Sequence, residues 1–115
     1  MKYALILPLL VFASMANSAG YSSWGVPTMI EQVNDGILVF GSFGDPSGCS
    51  KADHIFVPYM QADEKGYHTA SSIIFMAFAA QKELRFYSNS CAQVSAHWSG
   101  EIISRTFTWQ PIYIR

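Results

Sequence analysis

This 115-residue chain predicts an α+β fold: one helix packed on a small antiparallel sheet, or on an OB-like barrel, of about five to six strands. Three observations carry that expectation. The stretch from Tyr67 to Cys91 reads as one helix feeding one strand, an Asn-Asp-Gly turn joins two strand-like runs ahead of it, and short β-forming segments fill most of the remainder. Half of the residues are hydrophobic and 13% are charged, a balance that builds a packed core and excludes a disordered chain.

The helix follows from spacing. With each residue advancing about 100°, Ala70, Ile73, Ile74, Ala77 and Phe78 fall on one side of the wheel and form a core-facing stripe. Phe75 and Met76 sit on its flanks, so the run from Ile73 to Ala80 has no wide polar face. That surplus of apolar surface makes Phe75 and Met76 candidates for self-association as a homo-oligomer, with cover by loops as the competing expectation. The start is placed at His68 or Thr69, with Ser71 and Ser72 in the first turn and Tyr59 to Gly66 as a polar connection. Lys82 suits the negative end of the helix dipole. From Leu84 to Ser88 the period becomes two: Leu84, Phe86 and Ser88 point one way, Arg85 and Tyr87 the other.

At the N-terminus, Met1-Lys2 precedes an apolar run from Tyr3 to Ala13 and a small, polar segment from Ser14 to Ala19. This is the form of a secretory signal over residues 1–18, cleaved after Ser18 or Ala19, which leaves 20–115 as one disulfide-linked domain. A retained membrane anchor needs about 17 to 25 apolar residues. The run is shorter and contains Pro8, so the expected product is exported, periplasmic or secreted, with no stable membrane span. Seven Lys and Arg stand against eight Asp and Glu, without runs, which argues against nucleic acid as a partner.

Cys49 and Cys91 are the two cysteines, and in an exported domain of this size the expected state is one structural bridge. The alternative, a reactive or metal-binding thiol, lacks a C-x-x-C pair, and His54, His68 and His97 show no ligand spacing. No cofactor is expected.

The remaining elements are read in order. Tyr21 to Gly25 is an aromatic entry, Thr28 to Val33 a strand, Asn34-Asp35-Gly36 a tight turn using positive backbone angles, and Gly36 to Phe43 the second arm of the hairpin. Gly44 to Ser50 is loop, and His54 to Pro58 a third strand. Ala92 to Gly100 is read as loop. Glu101 to Arg105 and Thr106 to Trp109 form one strand or a bent pair, with Trp109 assigned to the core because it alternates with threonines. Ile112 to Arg115 closes the chain as an edge strand.

No nucleophile elbow, metalloprotease helix, phosphate-binding glycine loop or calcium loop is present. Asp53-His54 is the nearest acid–base pair, but adjacent strand residues face opposite ways, so no enzyme is expected. Tyr21, Trp24, His97 and Trp98 are candidate contacts for a ligand or partner, since aromatics beside polar groups hold sugar rings and protein surfaces. Two readings follow: an exported module binding a glycan or protein, or a structural, envelope-associated protein acting by self-association.

The order of hairpin, G-C-S loop, I-F-V-P strand and Y-H-T-A-S-S-I-I-F-M-A-F-A-A-Q-K-E-L-R-F-Y-S-N-S-C resembles a group of small exported bacterial proteins of unassigned function. In that group a Tyr-led helix runs into a K-x-V-x-F strand and a cysteine. Tyr67, Ala77, Ala80, Lys82, Leu84, Phe86 and Cys91 stand at the matching places over residues 28–104, with Leu84 replacing the commoner valine. The resemblance implies an exported helix-on-sheet domain and brings no activity with it. More remotely, the order is similar to the five-stranded, one-helix barrels of bacterial toxin binding subunits, an analogy of fold alone.

Overall fold

The structure, a computed structural model, describes residues 19–94 and 101–115. It is an α+β fold of one helix and two sheets. Eight strands occur among the described residues: β1 (Gly20–Tyr21), β2 (Met29–Val33), β3 (Gly36–Phe40), β4 (Lys51–Pro58), β5 (Leu84–Ser88), β6 (Ser90–Val94), β7 (Glu101–Arg105) and β8 (Ile112–Ile114). They sort into a five-stranded sheet, β2-β3-β4-β7-β6, and a three-stranded sheet, β1-β5-β8. The larger sheet is mixed, because β4 and β7 run parallel while the other pairs are antiparallel. Such a parallel pair needs a crossover, and the helix with β5 and β6 lies in it. The hydrogen-bonded order ends at β2 and β6, and one apolar cluster runs across the sheet from Val33 of β2 to Ala92 and Val94 of β6.

The helix α1 (Glu64–Ala80) begins earlier than the wheel indicated, after a 3-10 turn over Gln61–Asp63. Asp63 caps it by accepting from Gly66 N at 3.2 Å. Ser71 and Ser72 therefore lie in its middle rather than its first turn. At the far end Gln81 takes the left-handed conformation (φ 55°, ψ 47°), and Lys82, just past the helix, donates its N–H to Ala77 O at 2.9 Å. The buried face comprises Ala70, Ser71, Ile74 and Ala77, with Ile73 and Tyr67 half-buried against the core. Phe78, placed on the stripe by spacing, is exposed instead. Phe75 and Met76 are 49% and 58% exposed, so no described segment covers them as loops were expected to.

One face of the helix packs against residues of both sheets. Ile37 and Val39 of β3, Ile55 and Val57 of β4, Phe43, and Leu84 and Phe86 of β5 pack with Ala70, Ile74 and Ala77 into one cluster. Leu38, Phe56, Ile103, Val33, Ala92 and Val94 form a second cluster. Alternation explains the split, since neighbours such as Leu38 and Val39 point to opposite faces and both find cover.

Several segments differ from their sequence reading. Asn34 and Asp35 occupy the hairpin turn with ordinary negative φ, and Gly36 pairs with Val33 as the first strand residue. Gly36 is needed for space: a Cβ there would press on Val57 O and lie 2.8 Å from Pro58 Cα. Residues Ala92–Val94 continue β6, which forms because β7 supplies an antiparallel partner across Ala92 and Ile103. Residues 106–110 are a turn, not strand, closed by Gln110 N donating to Phe107 O at 3.0 Å.

Cys49 and Cys91 form a disulfide with Cα atoms 5.8 Å apart. The corner carrying Cys49 is also held by polar bonds. Asp45 Oδ1 accepts from Cys49 N at 2.8 Å and from Ser104 Oγ at 3.0 Å, and the buried Ser47 and Ser88 hydroxyls meet at 2.6 Å. Ser88 Oγ also lies 2.7 Å from Arg105 O. This seam of small polar residues ties the corner to β5 and β7, satisfying hydroxyls that burial would otherwise penalise. Among the described residues no helix is long and apolar enough to cross a membrane. The expected signal segment, residues 1–18, lies outside the described residues.

Candidate functional site

The three-stranded sheet has one core face and one open face, and the open face gathers aromatics and arginines. Its construction follows from the L-R-F-Y-S pattern of β5: Leu84, Phe86 and Ser88 are buried, while Arg85 and Tyr87 turn outward. Antiparallel pairing sets Tyr21 of β1 opposite Tyr87, and Tyr113 of β8 opposite Arg85. All four therefore project from the same side. Tyr21 meets Tyr87 edge-on at 4.9 Å between centroids and Tyr113 at 5.9 Å.

Trp24 joins this face from the segment after β1. The Gly25–Leu84 bridge, with N–H to O bonds of 3.0 and 2.7 Å, anchors that segment to the start of β5. The Arg85 guanidinium lies 4.6 Å from the Tyr21 centroid and 5.9 Å from that of Trp24. Arg115 lies 4.1 Å over Trp24, and its Nε donates to Glu83 Oε1 at 2.8 Å. Among the described residues no carboxylate pairs with Arg85, and its buried Nε has no hydrogen-bond partner. A guanidinium held by rings is desolvated and fixed, so it gains more from an incoming anion than a mobile surface arginine does.

The Tyr21–Tyr113 contact leaves a mark on ionisation. Their side-chain hydrogen bond and the Tyr21 charge, then burial, raise the Tyr113 phenol above its ordinary value, while Arg85 pulls it down. Tyr113 then stays neutral where an unfolded tyrosine ionises, so the stability it contributes is intact below the ordinary tyrosine range and is lost as pH rises through the shifted value. Titrating tyrosinate absorbance in the protein and in Tyr21→Phe should show one alkaline transition moving down in the variant. An unchanged curve would show that the phenols are not coupled.

Of the residues singled out from sequence, the structure brings Tyr21 and Trp24 together around Arg85. Tyr21 does so from a strand rather than a loop. His97 and Trp98 lie outside the described residues, and Phe75 and Met76 are on α1, apart from this face. Trp109, expected in the core, is 61% exposed. Its ring stacks on Phe107 at 4.6 Å and 5°, and the Arg105 guanidinium lies 4.6 Å from the Phe107 centroid. A stacked aromatic keeps its i, i+2 spacing without needing a core beneath it. Sequence reasoning missed Arg85, Tyr87, Tyr113 and Arg115, although the outward positions of L-R-F-Y-S and I-Y-I-R carried the signal.

Asp53 does not converge with His54: it is exposed at φ 67°, where β4 shifts register against β7, while the His54 ring packs edge-on to Phe40 at 4.3 Å. Among the described residues no three His, Cys, Asp or Glu side chains cluster as a metal site. No protein-family model matches this chain, and no curated protein or solved structure matches it either, so a function must be argued from the molecule's own geometry.

Proposed function

We propose that the chain is an exported binding module that recognises a glycan or protein surface through the open face of β1-β5-β8. The observation that carries this reading is Arg85, a guanidinium held against Tyr21 and Trp24 with no carboxylate paired to it among the described residues. Rings offer flat apolar contact and the cation offers a bidentate partner, a pairing suited to a glycan that carries carboxylates. Export is supported by the apolar leader-like run and by the disulfide, a bond that persists in oxidising compartments.

Biolayer interferometry against immobilised alginate, a polyuronate, and against uncharged dextran tests the proposal. Binding to alginate alone, weakened about tenfold or more in Arg85→Gln, is the expected result. Equal retention on both polymers, or an Arg85→Gln variant that binds as the parent does, refutes the carboxylate reading. Failure of both polymers moves the partner to the protein class.

The second reading, a structural or envelope-associated protein acting by self-association, is favoured by one observation. Phe75, Met76 and Phe78 lie exposed together on α1. A sedimentation mass that is a multiple of the monomer and collapses to one chain in Phe75→Glu would establish it, and a monomeric mass in the parent would end it.

A further inference from the structure

We infer that a second, independent ligand site lies in the groove between α1 and the 106–110 turn, and that it takes a neutral pyranose ring. The groove is open to solvent and has a volume of about 500 Å³, within the range of small-molecule sites. Trp109 lines the groove together with the apolar Ile73 and Ile112. Asp63, Lys65 and Gln110 add polar groups around it.

The position of Trp109 is determined from behind. Parallel stacking on Phe107, itself in contact with Arg105, sets the plane of the indole, and Arg105 is tied to β6 by its Nε donating to Ser90 Oγ at 3.2 Å. The turn is fastened to the helix cap, where Thr108 Oγ1 donates to Asp63 Oδ2 at 2.6 Å. Phe107 N and Gln110 Oε1 lie 3.5 Å apart across the same turn. An exposed tryptophan would ordinarily give up rotamer freedom on binding, but this one is already ordered, so contact with a flat ring carries less entropic penalty.

The chemistry selects the ring. A pyranose presents a C–H face that packs on an indole and an edge of hydroxyls that both donate and accept. Asp63 accepts, Lys65 donates and the Gln110 amide does both, so a hydroxyl edge can be satisfied without a ligand charge. One carboxylate and one ammonium also leave the groove without a dominant sign, in contrast to the arginine-rich sheet face. This site therefore does not rest on the carboxylate-binding reading above, and either can fail alone.

The test is a two-dimensional amide and indole NMR titration of the whole exported chain with glucose, galactose, mannose and N-acetylglucosamine. The Trp109 indole N–H is assigned by its loss in Trp109→Phe. A saturable shift of that resonance with at least one sugar, at a Kd of about 1 to 10 mM as suits a single ring, is expected. Trp109→Ala should weaken binding about tenfold or more, while Trp109→Phe, which keeps an aromatic platform, should weaken it only about two- to threefold. Absence of a saturable Trp109 shift with all four sugars overturns the site. Binding that survives Trp109→Ala unchanged overturns it equally. Because Trp109 is exposed, both variants should keep the parent's dispersed amide spectrum.

Discussion

Reduction of the Cys49–Cys91 disulfide will lower the midpoint of thermal unfolding by about 15–30 °C. The two residues are 42 apart in sequence, and closing a loop of that length restricts the unfolded chain by about 4 kcal/mol. For a domain of this size each kcal/mol moves the midpoint by about 4–8 °C. Circular dichroism melts with and without reductant, and of a double Cys→Ser variant, measure the difference. The hydroxyl seam around Asp45, Ser47 and Ser104 still ties the corner, so the folded spectrum at low temperature should persist. A shift below about 5 °C would show that those bonds, and not the covalent link, hold the corner.

Phe86→Ala is the second large effect, an expected loss of about 3–5 kcal/mol in urea unfolding. The side chain is fully buried where both sheets and the helix meet, packed at 5.1 Å and 89° on Phe43 and clustered with Ile74 and Ala77. Its backbone is engaged too, with Phe86 N donating to Ser22 Oγ at 3.0 Å and Ser22 N to Phe86 O at 2.7 Å, so the strand cannot easily collapse into the cavity. Phe75→Ala removes the same atoms from an exposed site and should change stability by only about 0.5 kcal/mol or less. Similar losses in the two variants would contradict the orientation of the helix.

The contrast between those two phenylalanines shows what the sequence could convey. Period two across Leu84 to Ser88 was sufficient to separate Phe86 from Arg85, because a strand packed on one side alternates strictly. Spacing on α1 located Ala70, Ile74 and Ala77 but not Phe78, since the run from Ile73 to Ala80 is apolar nearly all round and does not fix which side turns inward. The first turns of α1 carry few apolar residues, so they left no periodic trace; the Asp63-Glu64 pair, a cap followed by an acidic residue, was the signal that marked them. Trp109 misled because T-F-T-W alternates in a stacked turn as it does in a half-buried strand. The open face of β1-β5-β8 was legible only as scattered aromatics. Bringing Tyr21, Arg85 and Tyr113 together takes pairing of Tyr21 with Tyr87, 66 residues on, and of Arg85 with Tyr113, 28 residues on, which local pattern does not encode.

The parallel placement of β7 has a consequence for the order of assembly. This strand sits between β4 and β6, and β8 completes the smaller sheet, so both layers wait on residues beyond 100. A chain emerging from its N-terminus can form the β2–β3–β4 meander and the helix early, but it cannot seal either layer until residues 101–115 arrive. Folding is then a late, all-at-once event dominated by distant contacts, and slow for so short a polypeptide. Until that moment β4 presents an unpaired edge, which gives neighbouring chains a surface on which to misassemble.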